Sequence, residues 1–214
     1  RDRILRVDET ALGLFSRLYD EAETPAGEAR LPALHAIQLI EVLRKFAAYP
    51  RRLADLAEDY LALEMWHETN AQKDGTIRRE TRFPVAPHEL ILSGPHFFVG
   101  NPCNKTPRAR CELNSDYDTL DLASLPTDYV PRTNYVPACG EDEYLRRTVT
   151  VPWSGQRVTE LIRLVFRRQL SQSGERTMIP ALMPKEIGHV HPVISLTFSD
   201  TMGQVGLAGF YSSL

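Results

Sequence analysis

Cysteine is scarce and odd in number. Cys103, Cys111 and Cys139 are the only three in 214 residues, which argues against a secreted disulfide scaffold and for reduced thiols. Long apolar runs are missing as well. No stretch approaches the roughly 18 consecutive apolar residues of a membrane span, and Arg1-Asp2-Arg3 lacks the apolar core of a signal peptide. The expected location is the cytoplasm, with no membrane partner. Neither sign of charge dominates: 25 basic and 28 acidic residues leave a net −3, which discourages the idea of a uniformly basic surface for nucleic acid. Internal repeats and low-complexity tracts are also lacking. What is present is 43% hydrophobic side chains, enough to bury the core of one medium domain or a small pair. The chain opens on Arg1 and stops inside the apolar stretch from Val205 to Leu214, and so reads as a piece of something longer.

The charges are blocked rather than mixed. Residues 71–110 hold seven basic groups against three acidic; residues 111–145 hold only Arg132 against eight acidic; residues 146–185 hold eight basic against Glu160 and Glu175. Such blocks can fold into one basic and one acidic face on a nearly neutral molecule, or can simply be solvated surface.

Periodicity predicts an α+β fold: a helical N-terminal arm or small bundle over residues 1–70, then a mixed, loop-rich α/β region with short strands over 71–214. Asp8 can cap a first helix carrying Leu12, Phe15 and Leu18. A second is expected from Pro32 to Tyr49 and a third from about Arg51 to Trp66, so that residues 8–66 would be largely helical. Beyond Gln72, prolines and glycines multiply and long helices are not expected. Leu90–Leu92, His96–Val99 and Thr148–Val151 read as short strands, residues 101–137 as mostly loop, and Val193–Ser199 as a strand that turns Ile194, Leu196 and Phe198 to one face. One further helix is predicted over Arg157–Leu170, closed by Gly174.

That helix gives the first functional expectation. At about 100° per residue it would gather Val158, Leu161, Ile162 and Val165 on one side and Arg157, Arg163, Arg167 and Arg168 on the other. A row of guanidiniums could follow a phosphate backbone, or could pair with the acidic block at 111–145. A second cationic cluster surrounds the turn signal Asp74-Gly75: Lys73 precedes it, and Arg78, Arg79 and Arg82 would follow on an extended arm able to track phosphates. Lys105 and Arg108 form a third, after Ser93-Gly94-Pro95-His96-Phe97-Phe98-Val99-Gly100-Asn101-Pro102-Cys103-Asn104. Phe97, Tyr117, Tyr129 and Tyr135 read as core or as stacking platforms.

The run from Ser93 to Arg108, with Lys73–Pro84, Pro131–Cys139 and Gly174-Glu175-Arg176-Thr177, resembles the region after the catalytic domain in large, fused type II restriction-modification methyltransferases that modify adenine. The resemblance covers nearly the whole chain. It implies a helical connector over 1–70 and part of a DNA target-recognition domain over 71–214, with double-stranded DNA and the parent's own catalytic methyltransferase domain as partners. Under it, Lys73, Arg78, Arg79, Arg82, Lys105, Arg108, Arg163, Arg167 and Arg168 are the expected DNA-binding residues.

The family's chemistry carries over only where its motifs do. Such enzymes hold S-adenosylmethionine at a glycine-rich turn after a strand and the flipped base with Asn/Asp-Pro-Pro-Tyr/Phe. Neither is present: Asn101-Pro102-Cys103-Asn104 starts like the tetrapeptide but lacks its second proline and its aromatic. No catalytic residue and no cofactor are therefore expected in this chain, S-adenosylmethionine belonging to the parent enzyme. A zinc site from His96, Cys103, Cys111 and Cys139 is disfavoured by irregular gaps, and His189 with His191 reads as a satisfied surface pair. The alternative reading is a helical docking module that joins methyltransferase, nuclease and recognition parts.

Overall fold

The computed structural model describes residues 4–34, 36–100, 102–169 and 178–212. The fold is α+β, and it divides into two compact units, Arg1–Ala57 and Glu58–Leu214.

The first unit is a helix pair. Helix α1 (Glu9–Tyr19) starts where expected, because the Asp8 carboxylate accepts the Ala11 N–H at 2.9 Å and satisfies one of the orphan donors of the first turn. Helix α2 (Gln38–Ala48) starts six residues later than the sequence suggests. Ala11, Leu14 and Phe15 of α1 pack on Ile40 and Leu43 of α2, with Leu5, Leu18 and Leu34 closing the cluster.

The expected third helix does not form. Leu53–Asp59 is 3₁₀ and is broken at Ala57, whose φ is +46°. Tyr60–Leu63 is strand β1, at the edge of a sheet in the second unit. Helical propensity is a weak prior, and pairing with a partner strand overrides it here.

The second unit continues through α3 (Glu68–Lys73), β2 (Ile77–Arg82), β3 (Ile91–Leu92), β4 (Lys105–Pro107), β5 (Tyr117–Thr119), β6 (Thr133–Pro137) and α4 (Glu141–Arg147). It ends with β7 (Arg163–Arg167), β8 (Ala181–Met183), β9 (Gly188–His189), β10 (Val193–Phe198) and α5 (Thr201–Ser212). An antiparallel sheet of order β1-β10-β7-β8 forms its centre, accompanied by the antiparallel ribbons β2-β6 and β4-β5 and the parallel pair β3-β9.

The predicted helix at 157–170 is instead a 3₁₀ turn, Val158–Glu160, followed by the central strand β7. The error has a physical source. Arg163 and Arg167 are four apart, a spacing that shares a face on a helix and, being even, also on a strand. A strand buried on both faces shows no alternation, so its apolar run is indistinguishable from a helix segment by period alone. Val165 joins Leu90, Leu92, Phe97, Met183 and Val193 on one side of the sheet; Leu164 and Phe166 join Leu196 on the other, with Leu207, Ala208 and Tyr211 of α5 packed against them. Gly174, the expected cap, lies outside the described residues.

Strand β10 alternates as predicted, but its small polar face is also buried, with Ser195 at 1% and Thr197 at 2% exposure. His96 lies in a 3₁₀ segment, Gly94–Gly100, rather than a strand. Its ring ties that turn by accepting the Ser93 N–H at Nδ1, 3.0 Å away. Thr150 makes only an isolated bridge to Arg157. Among the described residues, no helix is long and apolar enough to cross a membrane.

Candidate nucleic-acid interface

The turn Asp74-Gly75 is formed as the dipeptide suggests. Gly75 takes φ +73°, a left-handed conformation that favours glycine. Asp74 Oδ1 accepts from the Thr76 N–H and hydroxyl at 2.9 and 2.6 Å. The chain then leaves as β2, paired to β6 with Arg78 opposite Val136 and Arg79 opposite Tyr135. The expected arm is thus one strand of a ribbon, and its pleat sorts the arginines.

Arg78, Glu80 and Arg82 interact with one another: Glu80 receives Arg78 Nη2 at 2.7 Å and Arg82 Nε at 2.8 Å. Arg82 Nη1 also reaches Glu89 at 2.7 Å. That bond, helped by the Val85 N–H, holds the Glu89 carboxyl down at about 2. Arg78 Nη1 also donates to the Pro137 carbonyl at 2.8 Å. Arg79 reaches a different segment, giving Nη2 to the carbonyls of Glu112 and Cys111 at 2.6 and 3.2 Å. These two bonds bring β2 against the loop that joins β4 to β5.

The other expected residues are dispersed. Arg108 pairs with Asp118 at 2.8 Å across the β4-β5 hairpin, where Lys105 is half-buried opposite Thr119. Lys73 is exposed in the last turn of α3. Arg168 pairs with Glu64 at 3.1 Å, and half-buried Arg167 donates to the Phe97 carbonyl at 3.4 Å. Arg163 is 0% exposed. It donates Nη2 to the Ile187 carbonyl, and burial lowers its pKa to about 10. It presents no guanidinium to a phosphate, because it lies in the sheet core and not on a helix face.

Beside Arg79 is a feature the sequence did not announce: a polar cavity of about 270 Å³ lined by Glu68, Arg79, Ser93, Glu112, Asn114, Tyr117, Asn134 and Tyr135, with Pro95 and Leu113 as its apolar members. Its inner wall is a hydrogen-bonded chain. The Arg132 carbonyl can only accept, so His96 Nε2, 2.9 Å away, carries the proton and Nδ1 is the acceptor. Burial keeps that imidazole neutral by lowering its pKa. The Ser93 hydroxyl lies 3.1 Å from Nδ1 and 3.0 Å from the Tyr117 hydroxyl. Asn134 is held by the Thr81 hydroxyl on its Oδ1 at 2.6 Å. Burial raises the pKa of both Tyr117 and Tyr135, so both phenols stay protonated at neutral pH.

Of the residues set aside in the sequence, Tyr117 and Tyr135 line this cavity, while Phe97 and Tyr129 line an apolar cavity of about 260 Å³ with Cys103 and Met183. Asn101 lies outside the described residues. Cys103 is exposed, Cys111 buried and Cys139 half-buried; among the described residues no group of three or more His, Cys, Asp or Glu side chains is placed to hold a metal. His189 and His191 are not a surface pair: His189 is 0% exposed and bonds the Ser195 hydroxyl at 2.9 Å, while His191 stacks on His67 with ring centroids 4.9 Å apart. No family model, curated protein or solved structure matches this chain.

Proposed function

We propose that residues 71–214 are part of a DNA target-recognition domain, positioning duplex DNA for adenine methylation by a catalytic domain of the same parent enzyme. The methyl donor, S-adenosylmethionine, belongs to that catalytic domain. One observation supports the reading beyond the resemblance: Arg78 of β2 and Arg108 of the β4-β5 hairpin are exposed and held by solvent-accessible carboxylates, and Arg79 between them borders a polar cavity. Exposed pairs such as Arg78–Glu80 and Arg108–Asp118 contribute little to stability, because solvent screens them. Exchanging the carboxylate for a phosphate therefore costs little, and counterion release drives the exchange.

The test is duplex binding at two salt concentrations by the chain and by a variant with Arg78, Arg79, Lys105 and Arg108 changed to alanine. Removing one phosphate-binding cation should lower the salt slope by roughly one unit and weaken all sequences alike. Unchanged affinity at low salt, in a variant whose circular dichroism is unaltered, would overturn the reading.

The docking reading for the first unit has its own observation. Leu39, Val42, Phe46 and Tyr49 of α2 and its cap stay 38–63% exposed, and their 3-4-3 spacing is that of a helix-packing seam. Phe46→Glu should abolish association with the parent's catalytic domain; undiminished association would refute that role.

A further inference from the structure

The cavity beside Arg79 has a chemistry opposite to that of the arginines around it. It contains two carboxylates, Glu68 and Glu112, against one guanidinium. Arg79 is itself already engaged by two backbone carbonyls, and the Glu112 carboxylate is shared with Arg110 at 2.7 Å. With Arg110 counted the charges balance, and both guanidiniums are already engaged, so a phosphate gains little there. The remaining polar groups are buried and oriented: Ser93 at 2%, Asn134 at 3%, Tyr117 at 5% and Tyr135 at 7% exposure. The Tyr117 and Ser93 hydroxyls are bonded to each other at 3.0 Å and Asn134 Oδ1 accepts from the Thr81 hydroxyl, so these groups are held in place. A site so fixed selects ligands by the match of donors and acceptors, because a mismatched partner leaves a buried group unpaired.

We infer that this cavity receives a single nucleobase edge that carries an exocyclic amine, an inference that rests on the DNA-binding reading above. The amine N–H groups of adenine, cytosine or guanine are donors for the carboxylates, and the adjoining ring nitrogen or carbonyl accepts from Arg79 or Asn134. Pro95 and Leu113 contribute the apolar surface against which a planar ring lies. Thymine is refused in the duplex: it has no exocyclic amine, its N3–H is taken by base pairing, and its exposed major-groove edge offers only a carbonyl and a methyl group. The volume of about 270 Å³ is sufficient for a planar base. Phosphate positioning and base selection are thereby divided between the arginine rim and the carboxylate-containing cavity.

The experiment is an NMR titration of the full chain with 2′-deoxyadenosine, 2′-deoxycytidine and 3-methylthymidine, whose N3 carries no proton, reading the side-chain amides of Asn114 and Asn134 and the Nε–H of Arg79. The amine-bearing nucleosides should shift these signals and 3-methylthymidine should not. Glu68→Gln, a near-isosteric change at the start of α3, should weaken the response about tenfold by removing one charged acceptor. Equal shifts with 3-methylthymidine, or none with any nucleoside, would overturn the assignment; so would an unaltered response in a folded Glu68→Gln protein. Duplex binding measured in parallel separates the two readings. Nucleoside shifts without salt-dependent duplex binding would sink the DNA-binding function alone, and salt-dependent duplex binding without nucleoside shifts would sink the cavity's assignment alone.

Discussion

Lowering the pH from 7 to 5 should destabilise the second unit, through the two imidazoles buried in it, His189 and His96. The His189 imidazole is fully buried between β3 and the central sheet, with Nδ1 donating to the Val190 carbonyl at 3.3 Å and Nε2 accepting from the Ser195 hydroxyl at 2.9 Å. Both nitrogens are satisfied in the neutral form. Burial first, and the neighbouring Arg163 cation second, lower its pKa from 6.5 to about 3. Between those values the unfolded chain binds a proton that the folded chain refuses, so stability rises with pH across this window and is lost as pH falls through it. For one group with these two values the loss between pH 7 and pH 5 is about 2 kcal/mol. Urea unfolding followed by tryptophan fluorescence, which reports Trp66 and Trp153 of this unit, gives the quantity directly. His189→Gln keeps a hydrogen-bonding group but cannot titrate, so its stability should change by about 2 kcal/mol less over the same interval, the remainder belonging to His96. Parallel pH dependence in the two proteins would refute the argument, as would a His189 Cε1–H resonance that titrates above pH 5.

Arg163→Met should be neutral or stabilising by about 0–2 kcal/mol in the same urea assay. Removing a buried cation that has no carboxylate partner among the described residues relieves about 3 kcal/mol of desolvation, while the Ile187 carbonyl loses its donor at a cost of about 1–3 kcal/mol. A loss above about 3 kcal/mol would show that the guanidinium is compensated in another way. Asp8→Ala should cost the helix pair about 1 kcal/mol by orphaning the Ala11 N–H, seen as earlier loss of helical circular dichroism on heating; an unchanged transition would count against the cap. Leu164→Ala, at a 0% exposed position of the central strand, should cost about 2–5 kcal/mol in urea, and a smaller loss would mean that the sheet collapses onto the cavity.

Local chemistry is what the sequence by itself determined. The Asp8 cap needs only a carboxylate and the next three residues, Gly75 needs only a turn that favours positive φ, and the β10 pattern needs only the two-residue repeat of a strand. The α+β class follows from those same short-range signals, as does the crowding of arginines on β2. Long-range partners decided the rest. Whether Leu161–Arg167 is helix or strand depends on β8 and β10 lying on either side, and residues 60–63 are strand only because β10 accepts them. The same holds for the site. Alternation along β2 could be read from Arg78, Arg79 and Arg82, but which of them faces carboxylates and which faces carbonyls depends on Glu89 and the loop at 111–112. The cavity that joins Glu68, Arg79, Ser93, Tyr117 and Asn134 draws each of them from a separate segment of chain. No window of sequence contains it, because its groups are held by hydrogen bonds such as Ser93–Tyr117 and His96–Arg132 that exist only after the ribbons have packed.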